Sequence, residues 1–538
     1  MLYFNRRAKL FGLLCLVLLA SAFGVVTFDL PQVEWGEEHK DKTRVYQVLG
    51  EQDGKVYTLS ERKKKTYLDV YDADLKKDNA YEIETPEIDG KKVDLLYYNL
   101  LNGKMVALAA HYDKKDKKES LYAYELTDKG RLKDRRELMT FDVENKRRRA
   151  TFTINESMRK NALVVTALSV HRKGKDDKKK LNIIALDKEL QTIHESHTSY
   201  PLKVKQKGRN NDVTYSLAST EVDDNGSAYV LMKKNIGSGS KKLTDFELLT
   251  NTKQNGYKGK RFKVSGRGRM ITKATIFLDN DQLRIGGFYK EDPKGLFNFE
   301  GVSGTFLATL DITKDELDKI DFKRLPKKYI AEFIGEKRAK KGKLPSPFFV
   351  PKDIVVKQGG GAVMVAEDSY KVVTESRSAI QTRYYDNDLM IISFDKDGEI
   401  EWMRRIGKKQ MYAHTRPKMG LALGGLSFNF AIGKRVVDTD FMSYLMGVKG
   451  DKIYIVFNDH RKNIEREEDE LKTLSRFKNG IPMVGILDME GNYEREVIPG
   501  GKDDAVILRP GTSLQINKNE MIVYGARSSK DKLGRIRF

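Results

Sequence analysis

The sequence predicts an all-β protein assembled from one repeated unit. Three observations carry this: short β-branched and aromatic runs, a tight polar turn before each, and eight recurrences of the pair along 538 residues. The launching turns are Asp53-Gly54-Lys55, Asn102-Gly103-Lys104, Lys160-Asn161-Ala162 and Asn225-Gly226-Ser227, then Asn280-Asp281-Gln282, Gly359-Gly360-Gly361, Gly450-Asp451-Lys452 and Lys518-Asn519-Glu520. Asn, Asp and Gly dominate them because tight hairpin turns need positive φ, which these residues adopt at least cost. Each turn leads into a run too short for a helix, such as Val56 to Leu59, Met105 to Leu108, Tyr229 to Met232 or Ile453 to Phe457. After a charged gap comes a partner strand ending near an acidic turn: Leu181 to Leu186 before Asp187, Phe306 to Leu310 before Asp311, Leu389 to Phe394 before Asp395, Val484 to Leu487 before Asp488 and, more loosely, Leu121 to Leu126 before Asp128. Further strands follow, as at Glu399 to Trp402 and Gln191 to His194, and others precede, as at Val213 to Leu217.

Four antiparallel strands per unit make one blade of a β-propeller. The second strands start at 56, 105, 163, 229, 283, 363, 453 and 521. Simple blades run about 40 to 50 residues, so these units carry insertions. The expected architecture is a single propeller of eight four-stranded blades over 23–538, with insertions at about 323–346, 407–438 and 461–480. Residues Ile536 to Phe538 fall in the third strand of the last unit. Its fourth strand is expected from residues near Val25 to Phe28, which would close the ring with N- and C-terminal strands and leave no sheet edge exposed. Seven blades plus a divergent segment is the alternative count, and two β-sandwich domains the competing architecture.

Residues 1–22 read as an export signal: Arg6, Arg7 and Lys9, then the apolar Leu10 to Leu19, then Ala20-Ser21-Ala22. An uncleaved anchor is the alternative, because apolarity continues through Val25 and Val26. Leu14 stands before Cys15 where a lipid-attachment motif needs a small residue. Cleavage would remove three basic residues, taking the net charge from +22 to +19, together with Cys15, the single cysteine. Export without cysteine suits a bacterial periplasmic or secreted protein, and no later run is long enough to span a bilayer.

In a propeller the loops between second and third strands share one face. Several are rich in lysine, above all Arg172 to Lys180, where Arg172, Lys173, Lys175, Lys178 and Lys179 are candidate binding residues. Such tips on one rim would attract an anionic glycan or lipid headgroup; the competing reading is that they serve solubility alone. Nucleic acid is disfavoured, because the tips carry no interleaved aromatics to stack bases. Between-blade connections emerge on the same face. There, 323–346 holds the amphipathic stretch Tyr329 to Ile334, and 407–438 holds Tyr412, His414, Arg416 and Lys418 before the glycine-rich Gly420 to Gly425. The latter reads as a lid over any pocket, or as a plug. Glu465 to Glu470, followed by Leu471 and Leu474, reads as a solvated helix.

Catalytic signatures are absent. His194 and His197 alternate to opposite faces of a predicted strand, which argues against a shared metal. Gly433-Lys434 lacks the first glycine and the Ser/Thr of a phosphate loop. Asp395-Lys396-Asp397-Gly398 lacks the further ligands of a calcium loop and reads as a turn. No cofactor is expected.

Ser393 to Gly398, with Trp402 beyond it, resembles the turn signatures of PQQ-like repeats and of the Asp-box of sialidase-like propellers. It departs from both: no Thr precedes Gly398, and the Asp-to-Gly spacing is one short of the first and one long of the second. The resemblance implies a propeller fold and an envelope location, and carries over neither quinone binding nor glycosidase residues. More broadly the chain is similar to exported β-propellers of Gram-negative bacteria. The expected function is that of a monomeric binding or scaffold protein of the envelope, taking a protein or an anionic glycan on its loop-rich face. The alternative is a carbohydrate-active hydrolase or lyase with a site at the central channel mouth.

Overall fold

The protein is all-β. The computed structural model describes residues 30–538 apart from 40–43, 94, 173–176, 207–208, 238–242, 267, 280–281, 292–300, 319, 377–378, 418–438, 499–505, 518 and 528–529. Among the described residues, antiparallel strands form eight sheets of four or five strands and one two-stranded ribbon, Glu87–Ile88 with Lys91–Lys92. The sheets follow one another in chain order and are numbered 1 to 8 here. Sheet 3 is representative: Thr151–Glu156, Ala162–His171, Lys178–Asp187 and Thr192–Pro201 lie side by side in sequence order.

Turn chemistry explains this regularity. In six sheets the launching turn falls between the first and second strands; in sheets 4 and 8 an extra strand, Lys203–Gln206 and Ile507–Leu508, comes first. In Asn102-Gly103 both residues have positive φ, 41° and 86°, the requirement of a type I′ hairpin. The acidic turns join third to fourth strands by a side-chain mechanism. Asp187 Oδ1 accepts the amides of Glu189 (2.9 Å) and Gln191 (2.7 Å), and Asp395 Oδ1 those of Asp397 (2.9 Å) and Glu399 (2.8 Å). In sheet 2 the acceptor is Thr127 Oγ1, not Asp128. Asp395 to Gly398 is therefore a turn, and Trp402 beyond it reaches sheet 7. Its Nε1 donates to Met489 O at 2.8 Å, and its ring covers Gly491, where an added Cβ would sit 2.8 Å from Trp402 Cδ2.

The core lies between the sheets. Leu163 and Val165 of sheet 3 pack with Val106 and Leu108 of sheet 2, and Tyr229 and Leu231 of sheet 4 with Leu283 and Ile285 of sheet 5. The series ends with Ile522, Tyr524 and Leu533 of sheet 8 packed on Val45, Val56 and Tyr71 of sheet 1.

Two expectations are corrected. The strand that pairs with Lys530–Arg537 is Gln32–Trp35, with Gln32 opposite Arg537 and Trp35 opposite Gly534; Val25 to Phe28 lie outside the described residues. Trp35 fits there because Gly525 and Gly534 leave room, an added Cβ at either coming 2.7 Å from its ring. The acidic stretch Glu465 to Glu470 forms no α-helix but one short 3-10 helix, Glu468–Glu470, with others flanking it at Arg461–Asn463 and Phe477–Asn479 and with Leu471 and Leu474 beyond it buried. The described part of 407–438 before residue 418 adds a strand, Gln410–Pro417, to sheet 6; Gly420 to Gly425 lie outside the described residues. Residues 323–346 include the helices Lys327–Ile334 and Glu336–Lys340, the first burying Tyr329, Ile330 and Phe333 between sheets 5 and 6. No helix of the described residues is long and apolar enough to cross a membrane.

Candidate binding site

Sheet 6 departs from the other sheets in the length of its central strands, Ala362–Glu375 and Ala379–Phe394. The apolar pattern that buries Val363 to Ala366 stops at Glu367, yet pairing continues to Glu375. Between Glu367 and Ser369 the register shifts, from Glu367 opposite Leu389 to Ser369 opposite Asp386. Such a bulge bends the hairpin and re-aims its side chains. Below it the third strand pairs with Ile400–Ile406; above it, with Gln410–Pro417. A second register shift, between Pro351 and Asp353, leaves Lys352 outside the regular pairing.

These two irregularities place charged groups where the core would otherwise continue. Glu367 and Lys408 are both fully buried, with Lys408 Nζ 2.5 Å from Glu367 Oε1. Lys352 Nζ lies 2.5 Å from the other oxygen, to which Ser443 Oγ also donates at 2.9 Å. Lys408 donates further to Gln410 Oε1 (3.0 Å) and Asp386 O (3.2 Å), so its donors are satisfied. Burial alone would raise the Glu367 carboxyl; the two lysines hold it below its ordinary value instead. Nearby Asp353 and Asp386 are raised, both chiefly by burial, Asp386 also by the Glu367 charge. Tyr444 donates to Asp353 Oδ2 at 2.5 Å, and burial followed by that carboxylate pushes its phenol well up.

Above this network opens a cleft of about 640 Å³ between the sheet 6 hairpin, the segment entering sheet 7 and the Pro510–Thr512 turn of sheet 8. Its lining combines Tyr370, Tyr384 and Tyr385 with Lys352, Lys371, Asp386 and Asp440. Tyr370 stacks on Tyr385 at 4.7 Å and 15°. Asp440 is held by Arg509, at 2.5 and 2.6 Å, and by Arg44 of sheet 1 at 3.0 Å. A second cleft, of about 700 Å³, lies on the other side of the bulge, between the 327–346 insertion and sheet 6. Val302, just before the third strand of sheet 5, donates to Pro345 O at 3.0 Å, so the entry to that strand touches the insertion.

The residues singled out from the sequence are divided between sheets 3 and 6. Arg172 is exposed, its amide donating to Glu144 Oε2 at 3.1 Å, and Lys178 is exposed beside it. Lys179 donates through Nζ to Tyr215 O at 2.6 Å, and burial lowers its pKa. Arg172 and Lys179 line a smaller pocket of about 480 Å³ between sheets 3 and 4. Tyr412, His414 and Arg416 lie on the added strand, opposite Tyr384, Thr382 and Ile380. Tyr412 packs with Phe441 behind the first cleft, 6.5 Å between ring centroids, and so supports Tyr384. Lys173, Lys175 and Lys418 lie outside the described residues. Missed in the sequence were Tyr370, Tyr385, Lys352, Glu367, Lys408 and Asp386. Their signal was the polar, aromatic continuation around Ser376 to Ser378, which reads as a charged gap unless strand length is counted.

Among the described residues no group of three His, Cys, Asp or Glu side chains is arranged to hold a metal. His194 engages Gly226 O at 3.0 Å and stacks on Tyr257 at 4.2 Å.

No family model matches the chain, and no curated protein matches it in sequence. Among solved structures it is similar to the polysaccharide lyase Uly1, with 11% identity over 84% of this chain and 93% of that one, and a TM-score of 0.35. It is similar to prolyl oligopeptidase B from Galerina marginata at 10% identity and TM-score 0.33, over 90% of this chain and 55% of that one. It is also similar to the β-propeller domain of the Trilobed protease from Pyrococcus furiosus, at 10% identity over 89% and 98% of the two chains, with a TM-score of 0.30. All three likenesses are distant.

Proposed function

We propose that this chain is a closed eight-bladed propeller, exported through the signal at 1–22, that binds a glycan in the cleft of sheets 6 to 8. Support for the ring comes from the order of the sheets, from the packing of sheet 8 on sheet 1, and from the pairing of Gln32–Trp35 with Lys530–Arg537. Support for the ligand class comes from one observation, the lining of the first cleft. A volume of about 640 Å³ suits a ligand of a few rings. Tyrosine faces stack on the apolar faces of sugar rings, and Lys352, Lys371, Ser369, Asp386 and Asp440 offer donors and acceptors for hydroxyl groups.

Binding without turnover is the preferred reading. A hydrolase or lyase is the second, favoured by one feature: two carboxylates share the cleft in unlike surroundings, Asp386 raised by burial and Asp440 paired with two arginines. The test is calorimetric titration with neutral and acidic oligosaccharides, alongside an assay for new reducing ends or unsaturated products. Saturable binding that Tyr385→Ala weakens about tenfold, a loss of about 1.4 kcal/mol, is the expected result. Product formation that Asp386→Asn abolishes would replace the binding reading with the enzymatic one. No heat with any oligosaccharide would reject both.

A further inference from the structure

The two clefts share a floor. Asp368 and Asp388 line the second, while Tyr370 and Asp386 line the first, so the clefts meet across the sheet 6 bulge. A row of rings crosses that boundary. Phe348, 47% exposed, stands between Pro347 and Phe349 of the second cleft, and its ring lies 4.9 Å from Tyr370, which in turn stacks on Tyr385. An exposed phenylalanine continuing a tyrosine stack costs apolar exposure that nothing in the fold of this segment requires.

Charge changes along the row. At the second cleft Arg338, Lys341 and Lys343 are exposed, and no carboxylate among the described residues pairs with them. The acids beneath them are occupied: Asp388 takes Arg405 Nε at 2.9 Å, and Asp368 takes the Ser346 hydroxyl at 2.6 Å. Lys371 adds an exposed cation at the first cleft. The rim therefore carries exposed cations on both sides of the aromatic row, most of them at the Arg338–Lys343 end, above the carboxylates of Asp368 and Asp388.

We infer that the two clefts are subsites of one track that binds a chain of acidic sugars, its rings laid along Phe348, Tyr370 and Tyr385 and its anionic groups taken by Arg338, Lys341 and Lys343. This rests on the glycan reading of the first cleft and extends it to a polymer of defined charge. A ligand confined to one cleft would not need the ring that joins them.

The experiment measures affinity for oligogalacturonates of two to eight units, and for neutral cello-oligosaccharides of the same lengths, at 0.15 M salt. Affinity for the acidic series is expected to rise at least tenfold between two and six units, and the neutral series to rise less. The triple variant R338A/K341A/K343A, altered only at exposed positions, should lose the length-dependent gain of the acidic series and keep the parent's melting temperature. Phe348→Ala should lose part of that gain in both series. Affinity flat with length, or a gain untouched by the triple variant, overturns the track and leaves the glycan reading standing. Failure of every oligosaccharide to bind overturns the glycan reading itself and the track with it.

Discussion

Two buried carboxylates behave in opposite ways, and each makes a prediction. Glu367 shares Lys408 and Lys352, so removing one lysine leaves a buried charge with half its compensation. Lys408→Met should cost about 3 kcal/mol in urea denaturation, the low end for a broken buried pair because Lys352 remains. Adding Glu367→Gln to that variant should recover part of the loss. Recovery of nothing would mean that packing, not charge, was lost. Glu221, on the Arg209–Val222 strand of sheet 4, has its carboxyl pushed up to about 8 by burial alone. Its folded pKa stands above the unfolded value of 4.5, so the native state binds the extra proton and stability falls as pH rises between the two. Glu221→Gln should be at least about 1 kcal/mol more stable than the parent at pH 8 and no more stable at pH 4. Equal stabilities at pH 8 would remove the case for a buried, unionised Glu221.

At the scale of elements, the turn between third and fourth strands is the recurring device. Asp488 Oδ1 accepts the amides of Glu490 (3.1 Å) and Asn492 (2.8 Å), and the Trp402 ring of the preceding sheet covers the same turn. Trp402→Ala removes a half-buried ring and its hydrogen bond to Met489 O. A loss of about 2 to 4 kcal/mol is expected, somewhat below a fully buried aromatic. Asp488→Ala should cost about 1 kcal/mol, since only hydrogen bonds within the turn go, the two backbone amides and the Asn492 side-chain amide at 2.6 Å. A larger cost for Asp488→Ala than for Trp402→Ala, read from paired thermal melts, would reverse this ranking. These turns were legible in the sequence because φ preference and side-chain reach act within four residues. The sheet 6 hairpin was not, because its outer half has no buried face to impose an apolar period. Its register was set by partners distant in sequence, Lys408 and the Gln410–Pro417 strand.

For the whole molecule, the junction of the two ends is the point of leverage. Gln32–Trp35 covers the outer edge of Lys530–Arg537, and Arg535 ties Glu520 of its own sheet, at 2.6 Å, to Glu51 of sheet 1 at 2.9 Å. A chain starting at residue 30 should stay monomeric in light scattering. One starting at 40 exposes that edge, loses the Trp35 ring and should associate or melt at a lower temperature. Equal behaviour of the two would mean that this strand does not hold the ends together. Trp35→Ala in the longer chain should reproduce part of the loss.

By itself the sequence determined the all-β class, the eight units and the position of each launching turn, since these depend on contacts a few residues apart. Tertiary structure alone decided which residues meet. It seated Trp35 on two glycines of the last sheet, tied the acidic stretch to Arg405 and Gly407 through Asp469 and Glu468, and gathered Lys352, Glu367 and Lys408 under the tyrosines of sheet 6. The physical reason is common to all three. Burying a charge, an indole or a bulge has a cost that only a particular partner offsets, and that partner lies tens to hundreds of residues away in the chain.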